Sequence, residues 1–302
     1  MNSKRLFVSV VIPTYKRQKQ LHNCLRSLSL QTYPKESFEV IVVNDGDLEE
    51  SQKSEPNLFG ITNLSIYYKE HSGPASARNY GVENAKGELI LFTDDDCSPK
   101  EDWIERIVAQ YKLGNCPVIG GKTLNLLTNN LYSEASQLIT DIVYNHFNKD
   151  PDDALFLASN NFAITRDLFN ELGGFDSSFK TSSNEDRDFC NRLIHKGCKI
   201  IFETSVIVYH SHNLNFNSFF LQHFNYGRGA YLFQTKQKQR GSGNLFKDMS
   251  FHLNFRNYIY YPFKNVGYVK ILPLGFLLLT WQIANVLGFL CEYLLSNLKF
   301  LR

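Results

Sequence analysis

The first hundred residues alternate between short apolar runs and stretches whose apolar positions recur every three or four residues. Residues 7–12 (FVSVVI) are β-branched and apolar and are cut off by Pro13, a pattern that predicts a buried strand. Leu21, Cys24, Leu25 and Leu28 then stand at i, i+3, i+4 and i+7, one face of a helix over 18–30. A second apolar run at 40–43 stops at Asn44-Asp45-Gly46, a tripeptide that favours a turn. Residues 65–68 (SIYY) predict a weaker strand. Pro74 suits the first turn of a helix carrying Ala75, Ala77, Arg78 and Tyr80, with Gly87 as its stop. Residues 89–92 form another strand that runs directly into three aspartates. Strands alternating with helices in this way build βαβ units and a mainly parallel sheet.

Beyond residue 100 the pattern becomes a mixture of α and β. Trp103, Ile104, Ile107, Val108 and Tyr111 mark a helix, and 118–121 a strand with a bend. The stretch 125–157 yields no assignment. A short helix over 166–172 ends at Gly173-Gly174. Another over 185–196 has Phe189, Cys190, Leu193 and Ile194 on its apolar side and closes at Gly197. Residues 200–202 and 206–209 read as two short strands. Phe216, Phe219, Phe220, His223, Phe224 and Gly227 recur at helical spacing, and the polar stretch after them (KQKQRGSGNLFK) reads as a linker or domain lip. No internal repeat is visible.

Two runs bear on targeting. The apolar run 6–12 is too short for a leader and has no small-residue cleavage site, so it reads as a strand. Residues 271–291 carry no charge and are long enough to cross a hydrocarbon core of about 30 Å as a helix. Pro273, Gly275, Gln282, Asn285 and Gly288 interrupt the run, so a span, a re-entrant hairpin, a helix lying on the membrane and a buried core helix all fit it. Lys264 and Lys270 precede it while Lys299 and Arg302 follow it, so charge does not set an orientation.

A chain of 302 residues has room for one large α/β domain and an appendage. The expected division is 1–235 for the catalytic domain, 236–270 for a basic and aromatic linker, and 271–302 for a hydrophobic, membrane-associated segment. The formal charge of +2 gives no general electrostatic reason to bind nucleic acid. Six cysteines without CxxC or zinc spacing read as reduced thiols in a cytosolic compartment.

In an open parallel sheet, ligands bind beyond the carboxyl ends of the strands. Asp45 and the cluster Asp94, Asp95 and Asp96 lie at such ends. Three adjacent carboxylates leaving a buried strand repel one another unless a cation is near, which suits Mg2+ or Mn2+. The competing reading is a solvated acidic turn. No GxGxxG motif is present, and GNCPVIGGKT misses the P-loop spacing, which disfavours P-loop kinases and dinucleotide dehydrogenases.

Five segments together resemble glycosyltransferase family 2: VSVVIPTYKR at 8–17, FEVIVVNDGD at 38–47, GPASARNYGVENAKGELILFTDDDCSP at 73–99, SNNFAITRDLFNELGGFD at 159–176 and NEDRDFCNRLIHKG at 184–197. The resemblance implies a GT-A fold, that is, a Rossmann-like, mainly parallel sheet with an acceptor-side α+β part, followed here by the hydrophobic C-terminal segment. It also implies an inverting enzyme that moves a sugar from a nucleotide-sugar, UDP being the commonest carrier, onto an acceptor hydroxyl. By the same resemblance Pro13, Thr14 and Tyr15 flank the nucleobase and Asp45 reads its imide edge. Gly73 and Arg78 close over ribose and phosphate, Asp94 and Asp95 face the donor, and Asp94 and Asp96 hold the metal. His210 completes the metal site, with His212 as its competitor. Asp186 is the general base, with Glu185 beside it; a helix N-terminus favours their ionised form. Asn160 and Asn161 are expected to bind acceptor hydroxyls. A QxxRW motif is missing, which favours addition of single sugars to a surface-polysaccharide or glycolipid intermediate, at the cytoplasmic face of the cell membrane. The expected partners are the donor, a saccharide or lipid-linked acceptor and the membrane, with no nucleic acid. Two rivals stand beside this reading: a catalytically silent GT-A scaffold or sugar-binding membrane protein, and a nucleotidyltransferase, which should have a basic phosphate grip near residue 15 and no Glu185-Asp186 helix; the presence of that motif disfavours it.

Overall fold

The computed structural model describes residues 5–46, 59–114, 116–179, 184–241, 251 and 268–300. The chain divides into two compact units, one formed by 1–126, 150–180 and 185–211, the other by 127–149, 181–184 and 212–302.

The first unit holds an eight-stranded sheet. Its strands are β1 (Val8–Thr14), β2 (Phe38–Asp45), β3 (Leu64–Lys69), β4 (Leu89–Phe92), β5 (Cys97–Pro99), β6 (Val118–Asn125), β7 (Phe162–Thr165) and β8 (Ile201–His210). They lie in the order β3-β2-β1-β4-β7-β6-β8-β5. The four strands β3, β2, β1 and β4 are parallel, β7 is antiparallel to both β4 and β6, and β5 is antiparallel to β8. The expected Rossmann-like half and mixed half are thus both present.

Helices cover both faces of the parallel half, so its strands are apolar throughout rather than alternating. On one face Val8, Val10, Ile12, Val40 and Val42 pack with Cys24, Leu25 and Leu28 of α1 (Gln18–Ser29) and with Trp103, Ile104 and Ile107 of α3 (Trp103–Gly114). On the other lies α2 (Pro74–Glu83), so close that a Cβ on Gly81 would stand 2.4 Å from a Val11 methyl. Five phenylalanines, Phe92, Phe162, Phe169, Phe175 and Phe189, tie β4 and β7 to α5 (Arg166–Glu171) and α6 (Glu185–His195) with ring centroids 4.8–6.1 Å apart. That packing sets the position of α6 beside the end of β4.

Several local expectations differ from what forms. Pro13 does not end β1. Val11 accepts from the Thr93 N–H, so Val11 and Pro13 both face the β4 side, where pairing stops after Phe92 and the missing donor removes no bond. Gly87 is not the stop of α2, which ends at Glu83 with Asn84 as its cap. Its Cβ would stand 2.5 Å from the Ser9 backbone nitrogen, and its N–H donates to Ser9 Oγ, so what it needs is close approach to β1. The two strands expected over 200–209 are one strand, β8, whose pairing with β6 jumps from Gly121–Glu203 to Lys122–Ile207. The extra residues fold over Gly121, where a Cβ would meet the Val206 carbonyl at 2.0 Å.

The second unit consists of α4 (Leu131–Phe147), α7 (Phe216–Gln239) and α8 (Ile271–Phe300). Helix α4 fills most of the stretch left without an assignment. Asn130 caps it by accepting from the N–H groups of Tyr132 and Ser133, and Ala135, Leu138, Ile139 and Ile142 form its buried face. An Asn215–Ser218 capping box starts α7, which runs on through Lys238, so the boundary expected at residue 235 falls inside a helix. Most of the expected 236–270 linker lies outside the described residues. Among the described residues one helix, α8, is long and apolar enough to cross a membrane.

Candidate active site

The site forms where β1, β2 and β4 end and α6 begins, all within the first unit. At the end of β1, Thr14 donates its hydroxyl proton to Asp95 Oδ2 at 2.7 Å. Lys16 follows with φ 54°, an uncommon left-handed residue, and turns the chain into Arg17. The Arg17 guanidinium lies 3.3 Å from Asp95 and 3.1 Å from Asp96. Sequence reasoning gave Arg17 no role, although a cation near three adjacent aspartates was to be expected. Asp95 is buried, and that burial, with Asp96 beside it, pushes its carboxyl up to about 6 despite the Thr14 hydrogen bond and Arg17.

Asp96 faces the last residue of β8. His210 pairs with Cys97 across the β5–β8 ladder, which sets its Nε2 3.1 Å from Asp96 Oδ1. Burial alone would lower the imidazole pKa, but the Asp96 carboxylate outweighs it and raises the value. Asp96, His210 and Cys97 present ligand atoms that all lie within 4.8 Å of one another. An oxygen and an imidazole nitrogen at this separation fit a divalent ion, and of the two expected ions the imidazole suits Mn2+ better than Mg2+. Of the two competing histidines, His210 is the one beside Asp96; the His212 carbonyl accepts from the Ser133 hydroxyl in the second unit. Asp94 stands outside that group of three, its Oδ1 held at 2.6 Å by Arg78.

Arg78, on α2, was expected at the donor phosphates. It is buried between two acids, Asp94 at 2.6 Å and Glu185 at 3.0 Å. Burial opposes its charge, and the two carboxylates more than restore it. The bridge joins the end of β4 to the start of α6.

Asn184, with φ 68°, precedes α6 and leads into Glu185 and Asp186. The helix N-terminus was expected to hold both carboxyls ionised. Burial works against this: it pushes Glu185 up to about 7, aided by Asp186 and opposed by Arg78, and it also raises Asp186 against hydrogen bonds from backbone N–H groups. While Glu185 is engaged by Arg78, Asp186 accepts, among the described residues, from the Arg187 N–H at 2.8 Å and from the Ser159 backbone.

Asp45, expected at the nucleobase, is held by the loop that follows β3. Oδ1 accepts from Lys69 Nζ at 3.0 Å and the Ser72 N–H at 2.9 Å, while Oδ2 accepts from the Gly73 N–H at 2.7 Å and lies 3.0 Å from His71 Nδ1. His71 Nδ1 is hydrogen-bonded to the Asp45 backbone carbonyl at 2.8 Å, so three hydrogen bonds, from Lys69, Ser72 and Gly73, reach the carboxylate and hold it against the 69–73 loop. What Asp45 does here is shape the 69–73 loop, which Gly73 closes at φ 94° before Pro74 starts α2. The same loop stacks His71 on Tyr15, with centroids 4.2 Å apart and planes 21° from parallel. Lys69 and His71 were not singled out in the sequence.

Asn161, expected at acceptor hydroxyls, is enclosed. It is 0 % exposed, accepts from the Trp103 indole N–H and donates to the carbonyls of Lys122 and Val206, so it braces β6, β8 and α3 and has no atom for an acceptor sugar. Asn160 is less enclosed, and its side-chain oxygen accepts from Thr123.

A family model described as glycosyl transferase family 2 matches residues 9–173. Glycosyltransferase AglE of Haloferax volcanii is 37% identical over 124 residues, 40% of this chain and 40% of that protein. The glucosyl-dolichyl phosphate glucuronosyltransferase of the same organism is 26% identical over 178 residues, 57% of this chain and 56% of that protein. The chain therefore matches about half the length of these curated relatives. Among solved structures, the mannosyltransferase PcManGT from Pyrobaculum calidifontis, in complex with GDP-Man and Mn2+, superposes with a TM-score of 0.68 at 15% identity, covering 96% of this chain and 88% of that one. S. aureus TarS 1–349 in complex with UDP-GlcNAc gives 0.58 at 20% identity, covering 76% and 66%. At these identities the likeness carries the fold, which is GT-A.

Proposed function

The chain belongs to glycosyltransferase family 2, and on that premise we propose that it transfers a sugar from a nucleoside diphosphate sugar to an acceptor hydroxyl with inversion at the anomeric carbon. The observation that carries this reading is the chain of contacts Asp96–Arg17–Asp95 at one end and Asp94–Arg78–Glu185 at the other, which sets a cation-binding carboxylate and a candidate base at one strand edge.

In this reading Asp186 accepts the proton of the acceptor hydroxyl, the freed oxygen bonds to the anomeric carbon, and the bond from that carbon to the diphosphate oxygen breaks on the opposite face. Asp96 and His210 would hold a divalent ion, Mn2+ by preference, which supplies positive charge to the departing diphosphate. Arg17 is half-exposed at the rim and shares that task once it leaves the carboxylates. Arg78 keeps Glu185 paired and so leaves Asp186 as the group free to take a proton. Tyr15 and His71 offer flat faces for a base.

UDP is the first carrier to test and GDP the second, the two that the structural relatives were crystallised with. A relative named for a dolichyl phosphate substrate supports a lipid-linked acceptor and a place at a membrane, for which we propose the cytoplasmic face. Thermal stabilisation by a panel of nucleotide sugars with Mn2+ tests the proposal. A UDP-sugar should stabilise the protein, and Asp96→Ala should remove the metal-dependent part. Stabilisation of Asp96→Ala equal to that of the parent would overturn the metal assignment.

A further inference from the structure

Helix α8 has two apolar faces of opposite fate. Leu274, Leu277, Leu278, Trp281 and Ala284 are buried, against α4 at the start of the helix and α7 further on. Leu272, Phe276, Leu279, Ile283, Leu290 and Leu294 are exposed, at spacings of three, four and seven residues. The exposed stripe reaches from Leu272 to Leu298, about 39 Å at 1.5 Å per residue.

By length alone such a helix spans a bilayer. Its partner forbids this. Helix α7 runs beside α8 in the same direction: His223 meets Trp281, Gly227 meets Asn285, Arg228 meets Glu292 and Tyr231 meets Tyr293. The two backbones touch where each carries a glycine. A Cβ on Gly227 would stand 2.0 Å from the Asn285 carbonyl, and one on Gly288 1.9 Å from the Phe224 carbonyl. Packing this close holds α7 along α8 from residue 281 to 293, about 18 Å, more than half a hydrocarbon core. A spanning α8 would carry Gln222, Asn225 and the Arg228–Glu292 pair into lipid along with it, where such groups are costly.

The exposed face, by contrast, is fit for lipid on one side. The one acid between residues 271 and 298 is Glu292, and it is turned onto Arg228 at 2.7 Å. Thr280 and Asn285 donate to carbonyls of their own helix, at Phe276 and Trp281, so these side chains need no water. With no unpaired carboxylate on the stripe, an anionic bilayer surface meets no repulsion there, and the lysines of α7's last turn favour it.

We propose that α8 lies in the plane of a membrane, its Leu272–Leu298 stripe sunk into one leaflet, and does not cross. This deepens the membrane reading above and does not depend on which sugar is moved. The full chain should float with vesicles of phosphatidylcholine and phosphatidylglycerol, and Leu279→Glu combined with Ile283→Glu should abolish flotation while Mn2+-dependent donor binding, read on the same samples, persists. In inverted membrane vesicles, tags at the two chain ends should be cut by protease from the same side. Tags on opposite sides would overturn the in-plane placement. So would a parent chain that stays out of the vesicle fraction and sediments as a dimer, because the stripe would then be covered by a second copy. Absence of donor binding in the parent would count against the transferase reading and leave the flotation result standing.

Discussion

Asp186 and Glu185 are neighbours with different partners, and the difference assigns their work. Arg78 occupies Glu185, so a proton arriving from an acceptor meets Asp186. Asp186→Asn keeps the shape and loses the basicity. Donor and metal binding should stay near parental, while transfer falls by about 10²–10⁴-fold, the usual contribution of such a catalyst. Glu185→Gln should reduce transfer less, because it removes an ion pair rather than the base. Transfer at the parental rate by Asp186→Asn would sink the assignment. The pH dependence has a definite sign. Burial raises the Asp186 pKa above its ordinary value, so the ionised, proton-accepting form is lost at a higher pH than for an exposed aspartate. The acid limb of kcat/KM should therefore stand above the ordinary aspartate range near 4. A limb at or below that range would place the titrating base elsewhere.

At the scale of elements, strands and helices with one strong period were readable, while those fixed by distant contacts were not. The run 89–92 and the helix over 185–196 are legible because their apolar positions repeat cleanly. Strand β8 was split in two because Glu203, Thr204 and Ser205 interrupt the pattern where its register on β6 slips, a feature fixed by Gly121 some 80 residues earlier. Strand β5 is three residues long, too short for any period, yet it is what sets Cys97 opposite His210. Helix α4 carried its signal, an Asn130 cap before apolar residues at 135, 138, 139 and 142, but polar flanks masked it. The site was readable to the same limit. Acids at strand ends announce a cation site; the anchoring of Asp45 by Lys69, Ser72 and Gly73, and the enclosure of Asn161 by Trp103, Lys122 and Val206, are written only in long-range contacts. Gly87 shows how such contacts are tested. Gly87→Ala would drive a methyl into the β1 backbone beside Ser9, where no flexible side-chain end can yield. We expect a loss of about 1–3 kcal/mol in denaturant unfolding, the usual cost of overpacking. Gly197, with open space at its Cβ and φ 80°, serves as a contrast: Gly197→Ala meets no clash, and its cost comes from the backbone alone.

For the whole molecule, the division into two units has a measurable consequence. Asp45, Asp94, Asp95, Asp96, Asp186 and His210 all fall in the first unit, and the lipid-facing stripe falls wholly in the second. A ligand that binds only the folded form stabilises it by RT ln(1 + [L]/Kd), about 2.7 kcal/mol at a hundredfold excess over Kd. That stabilisation acts only on the part of the chain whose folding creates the site. Calorimetry of the full chain should therefore show a donor-dependent rise in the transition of the sheet unit, requiring Mn2+ and abolished by a chelator or by Asp96→Ala. The transition of the helical unit should not respond to donor, and should respond instead to lipid vesicles or detergent. The Leu279→Glu and Ile283→Glu pair ought to leave the donor-dependent shift intact and remove the lipid-dependent one. If donor and lipid moved a single transition together, the two units would be unfolding as one cooperative body, and donor binding would be thermodynamically linked to the membrane face.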